Sequence, residues 1–433
     1  MSFCHMNKKM TPYRHLCYIG INSDNHFKII LFLVRVFLMR IAQCSESFLP
    51  VVDGVGRVVY QYATSLSRSG NECYVITPLS NSGYRGQYPF EIVDFVSVKL
   101  PSAPQYHTGI APLDMHYAER ISQLTLDLIH AHAPGFAGIE AFRLAEKLDI
   151  PLVGTFHSKY YEDFLRVTHS DVLASLGSRY VADFYELCDE VWTVSEDAVE
   201  TLYSYGYKGD ITVVQNGTEI RIPNPEFESA ARSEFKLGND PILLYVGQMD
   251  FKKNLQRTLE ATALMKEHGH LFQLVFAGQG RDSKALETLA AEKGLDNVIF
   301  TGHIADRDLL DGLYMAASLF VFPSLYDTAG LVVREASVMG TPSVVVRNTA
   351  PAEVIRDCVN GLLCDDDAES LCHTIENYLF HMSDQERQNM RSQAQKTIPL
   401  PWETVMEEVE ERYRGLIARG KKRRKLRLKD LIQ

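Results

Sequence analysis

Two carboxylates, Asp327 and Glu335, stand on either side of a helix start in FVFPSLYDTAGLVVREASVMGTP, residues 320–342. The apolar run stops at Pro323-Ser324, which predicts the end of a buried strand. Leu331, Val332, Ala336 and Met339 then recur at helical spacing until Gly340-Thr341-Pro342 ends the helix. Unpaired amides at such a start favour an anion, and flanking carboxylates accept hydrogen bonds from hydroxyls. A sugar nucleotide carries both kinds of group. The acid and base of a glycosidase would face each other roughly 5–9.5 Å apart across one bond. Eight residues of helix rise roughly 12 Å, a spacing that suits one carboxylate at a sugar and the other at a ribose.

These residues resemble the donor motif of the retaining glycosyltransferases of sequence family four, a carboxylate, seven residues and a glutamate inside a Pro-Ser to Gly-x-Pro frame. The resemblance implies that Glu335 holds the ribose hydroxyls and Asp327 the hexose hydroxyls. It gives the amides of Thr328, Ala329, Gly330 and Leu331 to the sugar and phosphates. Asp327 departs from the family pattern, which has glutamate there.

Composition sets outer limits. A chain of 433 residues exceeds one ordinary core and reads as two domains. Its hydrophobic fraction of 46% and charged fraction of 23% exclude disorder for the bulk of the chain. A net charge of -11 argues against general nucleic-acid binding. Eight cysteines without a CxxC pair or zinc spacing read as reduced thiols of a cytoplasmic protein. The apolar stretch Ile29 to Leu38 is broken by Arg35 and falls short of the roughly 20 residues a membrane span needs. It resembles a signal h-region, but cleavage near Cys44 would delete the first core strand. Residues 1–38 are therefore read as a poorly ordered extension ahead of a natural start at Met39.

From Met39 onward, short apolar runs alternate with amphipathic helices, the pattern of parallel sheets with crossover helices. The fold class is α/β, with two Rossmann-like doubly wound domains facing a cleft, the GT-B arrangement that the resemblance also implies. Strands are expected at 40–44, 73–77, 128–131, 152–155, 190–194 and 211–214, then at 242–246, 273–276, 298–301, 319–322 and 343–346. The domains divide as 39–222 on the acceptor side and 241–397 on the donor side, joined through Arg221 to Asp240. Residues 398–418, opening at Pro401-Trp402-Glu403, resemble the helix that crosses back in this fold, and 419–433 form a basic tail.

Other motifs fall at strand exits. Asp53-Gly54-Val55-Gly56-Arg57 opens the first helix but lacks a third glycine for a dinucleotide fingerprint. The resemblance assigns Gly54 and Gly56 to a close approach to the donor diphosphate. Gly278-Gln279-Gly280 is read first as a strand-to-helix turn, with a donor contact as the alternative. Val246-Gly247-Gln248 with Lys252-Lys253-Asn254 lies where an open α/β sheet puts its ligand. The family places arginine after that glycine; Gln248 replaces it, which leaves Lys253, aided by Lys252, to stabilise the leaving diphosphate. His157 matches the family's histidine beside the transferred sugar, while His130 and His132 line the cleft or satisfy loop carbonyls. Ser195 and Asn216-Gly217 match family positions near the cleft. Asp365-Asp366-Asp367 reads as a solvated turn, and no catalytic metal and no cofactor are expected.

Ser47 to Val55, His130 to Pro134 and Thr155 to Asp163 resemble stretches of bacterial diacylglycerol glucosyltransferases. The basic run Arg419 to Lys429 fits either a solvated end or an anionic membrane surface, at about 1 kcal/mol per basic residue. The expectation is a retaining, metal-independent hexosyltransferase, cytoplasmic and peripheral on the inner face of the plasma membrane. It would take a nucleotide-diphosphate hexose, UDP-glucose first, to a lipid or carbohydrate acceptor. The alternatives are a transferase for a soluble sugar or polysaccharide acceptor and a catalytically silent sugar-nucleotide binder. A dehydrogenase is disfavoured, because neither GxG supplies its fingerprint.

Overall fold

The computed structural model describes residues 38–49, 53–79, 87–100 and 103–421. The expected extension up to residue 37, Pro50 to Val52, and the tail beyond residue 421 lie outside them. The first half contains β1 (Arg40–Cys44), β2 (Glu72–Thr77), β3 (Glu91–Asp94), β4 (Val98–Leu100), β5 (Ala103–Thr108), β6 (Leu128–Ala131), β7 (Leu152–Phe156), β8 (Glu190–Thr193) and β9 (Ile211–Val213). The second holds β10 (Ile242–Val246), β11 (Gln273–Ala277), β12 (Val298–Gly302), β13 (Leu319–Phe322), β14 (Ser343–Val346) and β15 (Leu362–Cys364).

Two parallel sheets result, ordered β3-β2-β1-β6-β7-β8-β9 and β12-β11-β10-β13-β14-β15. Central strands such as β10 and β13 are buried along their whole length, which is why they read as unbroken apolar runs rather than alternating ones. In each sheet the strand order reverses beside its first strand, between β1 and β6 and between β10 and β13. The loops leaving those strands border the crevice where such sheets bind ligands. The sequence reading omits β3, β15 and the antiparallel β4–β5 hairpin. These are short or charged edge pieces with too little apolar periodicity to register.

The boundary segment 221–240 contains the charged helix read there from the sequence, at Pro223-Asn224-Pro225. Asn224 caps a helix, Pro225–Glu234, that packs so closely on the helix Arg307–Ala316 that a Cβ on Gly312 would lie 2.0 Å from the Phe227 carbonyl. The last helix, Trp402–Arg419, returns to the first half. Val405, Met406, Val409, Tyr413 and Leu416 join Met39, Ile41, Val58, Val59 and Tyr62 in one core. At about 1.5–3 kcal/mol for each large apolar side chain buried, that seam couples the two halves firmly.

Candidate active site

On the donor side, β10 delivers the chain to Gly247, and Asp250 caps the turn Phe251–Lys253 by accepting the Lys252 amide at 3.0 Å. The turn presents Lys253, whose Nζ donates to Asp327 Oδ1 at 2.8 Å. The other oxygen of Asp327, Oδ2, is buried and has no hydrogen-bond partner among the described residues. A buried acceptor without a partner in a cleft is placed to take a ligand hydroxyl. Gly330, in the left-handed region at φ +55°, leads into the helix Leu331–Val338 with no side chain capping its amides. Those amides remain for an anion. Thr328 is buried and its hydroxyl donates to the His157 carbonyl across the cleft, while Ala329 is half-buried. Gln248 is exposed, and its backbone carbonyl accepts from the Tyr245 hydroxyl at 3.1 Å.

Of the expected helix face, Ala336 and Met339 are buried and Val332 packs against the core, joined by Val333, whereas Leu331 turns toward the cleft beside Arg57 and Trp402. Gly278 and Gly280 serve packing: Cβ atoms there would lie 1.9 Å from the Gly247 carbonyl oxygen and 2.2 Å from that of Met249.

Glu335 is buried between two arginines. Arg57, from the first half, donates to Oε1, Arg307 Nη1 lies 3.4 Å from Oε2, and the Tyr314 hydroxyl donates to Oε2 at 3.3 Å. Burial alone would raise the Glu335 carboxyl, but the Arg57 and Arg307 guanidiniums outweigh it and hold the group below its usual range. Glu335 is thus an anion ready to accept from hydroxyls, and the Arg57 pair ties the two halves together.

The acceptor-side wall begins with the first helix, Gly54–Arg68, capped by Asp53, which accepts the Gly56 amide at 2.7 Å. A Cβ on Gly54 would meet open space, so backbone is accessible there; one on Gly56 would press on Phe48 and Ser47 at 3.3 Å. Behind this helix runs a buried polar chain. His157 Nε2 lies 2.9 Å from His132 Nδ1, and His132 Nε2 lies 2.7 Å from Gln43 Oε1. His130 joins Tyr413 at 2.5 Å and Thr155 at 2.6 Å. Burial drives His130 and His132 well below the usual imidazole range and His157 down to about 3, so all three are neutral at pH 7.

Neutrality fixes the tautomers. Gln43 Oε1 can only accept, so His132 carries its proton on Nε2; His132 Nδ1 then accepts from His157 Nε2–H, and His157 Nδ1 is left as a lone pair. His157 therefore offers a hydrogen-bond acceptor at Nδ1, and not a cation.

Ser195 caps the helix Glu196–Ser204. Gly217 packs under the Trp402 indole, 2.5 Å from where its Cβ would stand. Asp366 accepts from Asn254 at 2.8 Å and Asp367 caps the helix Ala368–Glu376. Two of the acidic triplet are thus structural.

Two family models match the chain, Glycosyltransferase Family 4 over residues 52–221 and Glycosyl transferases group 1 over residues 226–397. The chain belongs to the group 1/family 4 glycosyltransferases. An alpha-monoglucosyldiacylglycerol synthase of Streptococcus pneumoniae is 28% identical over 75% of each chain. A GDP-mannose-dependent alpha-mannosyltransferase of Corynebacterium glutamicum is 27% identical over 76% of this chain and 77% of its own. Among solved structures, a sucrose-phosphate synthase of Thermosynechococcus elongatus superposes with a TM-score of 0.72 at 21% identity, over 88% of this chain and all of the other. Anabaena HepE with UDP and glucose gives 0.69 at 18% identity, over 87% of this chain and all of the other. These place the glycosyltransferase in the GT-B fold.

Within this glycosyltransferase the structure brings Lys253, Asp327, Thr328 and His157 to one cleft, with Glu335 at its Arg57 side. Sequence reasoning passed over Arg57, Arg307 and Gln43 as site residues, and over Glu46. A signal existed for the arginines: both sit in the first turn of a helix, where a cation opposes the macrodipole and needs a compensating anion. Glu46, after β1, accepts the Ala137 amide at 2.6 Å, and burial raises its carboxyl to about 7. Nothing in the one-dimensional pattern marks that burial. Among the described residues no helix is long and apolar enough to cross a membrane.

Proposed function

We propose that this glycosyltransferase moves glucose from UDP-glucose to a hydroxyl of a membrane glycerolipid, with retention at the anomeric carbon and without a metal ion. The observation that carries the reading is Lys253 beside Asp327 at the mouth of the uncapped helix Leu331–Val338. Lys253 and the amides of Ala329 to Leu331 take the charge of the departing diphosphate, which assigns the electrostatic work to protein groups. Asp327 Oδ2 and His157 Nδ1 receive hexose hydroxyls, and Glu335 receives the ribose. The acceptor hydroxyl attacks from the face the diphosphate leaves. Gly54 and Gly247 allow backbone to approach the phosphates from the two walls.

The choice of glucose and lipid is supported by the names of two relatives, the alpha-monoglucosyldiacylglycerol synthases of Streptococcus pneumoniae and of Acholeplasma laidlawii, the latter 23% identical over 78% of this chain. GDP-mannose is the second donor reading, favoured by the mannosyltransferase relatives. The test is to incubate the full chain with a panel of radiolabelled nucleotide sugars and diacylglycerol-containing anionic vesicles, with and without EDTA. Glucose label in the organic phase, α-linked and insensitive to EDTA, supports the reading. Label confined to water-soluble products, or transfer abolished by EDTA and restored by Mg2+ or Mn2+, overturns it.

A further inference from the structure

The helices Leu255–Glu267 and Ala368–Glu376 lie side by side on the donor sheet and both run away from the cleft. At the cleft end they are joined by Asn254 donating to Asp366 at 2.8 Å. At the opposite edge, outside every group used above, His268 follows the first helix while Cys372 and Glu376 share one face of the second, one turn apart. One ligand atom from each of these three residues falls within 4.8 Å of the other two. His268 Nδ1 is 2.7 Å from Glu376 Oε1, and His270 Nε2 is 3.4 Å from the same oxygen. Cys372 is 2% exposed and Glu376 8%, so a thiol and a carboxylate share a dry pocket that one half-exposed imidazole closes.

We propose that His268, Cys372 and Glu376 bind one divalent transition-metal ion of the zinc type, with His270 or water as fourth ligand. One imidazole, one thiolate and one carboxylate form the donor set of a borderline ion and suit neither calcium nor magnesium. Bond lengths of about 2.0–2.3 Å require ligand atoms roughly 3–4 Å apart. His268, the exposed member, is the ligand with room to adjust its position to the two buried ones. His270 lies flat on the Phe380 ring, 4.1 Å between centroids, which holds its Nε2 toward Glu376. Binding releases the Cys372 thiol proton, and the ion fastens the far ends of the two helices whose near ends support Lys253.

The test uses the untagged full chain stripped with chelator and titrated with Co2+, then with Zn2+ against a chromophoric chelator. The expected results are one equivalent bound, a sulfur-to-cobalt charge-transfer band displaced by Zn2+, and a melting temperature raised by Zn2+. Cys372→Ser should abolish the band, and His268→Asn should weaken binding roughly tenfold or more. Cys358→Ser, which removes an exposed thiol elsewhere, should change nothing. Should Cys372→Ser fail to fold, His268→Asn at the exposed position carries the test. A band that survives in Cys372→Ser, unaltered affinity in His268→Asn, or no Co2+ thiolate band in the unmodified chain would each overturn the site.

Discussion

Replacing Lys253 by alanine should cost this enzyme about three orders of magnitude in kcat/KM. Lys253 is 13% exposed and its partner Asp327 24%. The pair is therefore partly screened, and an effective dielectric near 20 applies rather than that of a dry interior. At about 4 Å, one ammonium beside one developing negative charge is then worth roughly 4 kcal/mol. That corresponds to roughly a thousandfold in rate if the charge appears only as the diphosphate leaves. In the free enzyme the same ammonium is held by Asp327 at 2.8 Å, so donor binding must redirect it. Two consequences separate this account from a structural role for the pair. Lys253→Arg should retain measurable activity, and Asp327→Asn should bind UDP more tightly, because Lys253 is released, while transfer falls. UDP affinity by calorimetry and donor turnover by UDP release, each with the wild-type and three variants, decide the matter. If Lys253→Ala keeps kcat/KM within threefold of wild type, or if Asp327→Asn weakens UDP binding, Lys253 does not face the diphosphate.

Glu335→Gln should lower kcat/KM by roughly 10- to 100-fold, the worth of about 1.5–3 kcal/mol in charge-assisted hydrogen bonds. Its melting temperature should also fall, because Arg57 and Arg307 lose their common anion; steady-state kinetics and calorimetry check the two arms. Gln43→Met removes the acceptor that sets the His132 tautomer, so His157 loses its fixed lone pair. Donor turnover should drop about tenfold with little change in UDP affinity, measured side by side. The Glu46 carboxyl is raised to about 7 by burial, so the fold favours its protonated form. Its contribution to stability is whole below the ordinary carboxylate range near 4.3 and is lost as pH rises through about 7, by on the order of 1–3 kcal/mol. Denaturant midpoints between pH 5 and 8 should show this slope in wild type and a flatter one in Glu46→Gln.

Much of this molecule could be read from the chain itself. The unbroken apolar runs of β1, β10 and β13, with punctuating glycines and prolines, forecast two parallel sheets, because a strand covered on both faces has no polar positions to interrupt it. Lys253, Asp327 and the glycine at 330 were visible as a set because they leave neighbouring strands through short loops. Other features had no local trace. Charged β3 and three-residue β15 are strands only because each completes a ladder beside a stronger neighbour. Arg57 meets Glu335 across 278 residues of chain, and Gln43 reaches His132 across 89. The sequence by itself determined the helices and the central strands of both sheets, since periodicity and capping act within a few residues. Tertiary structure alone decided which charges are neutralised, which histidine nitrogen bears the proton and which carboxyl is buried, because those depend on groups brought together only when the two sheets close on each other.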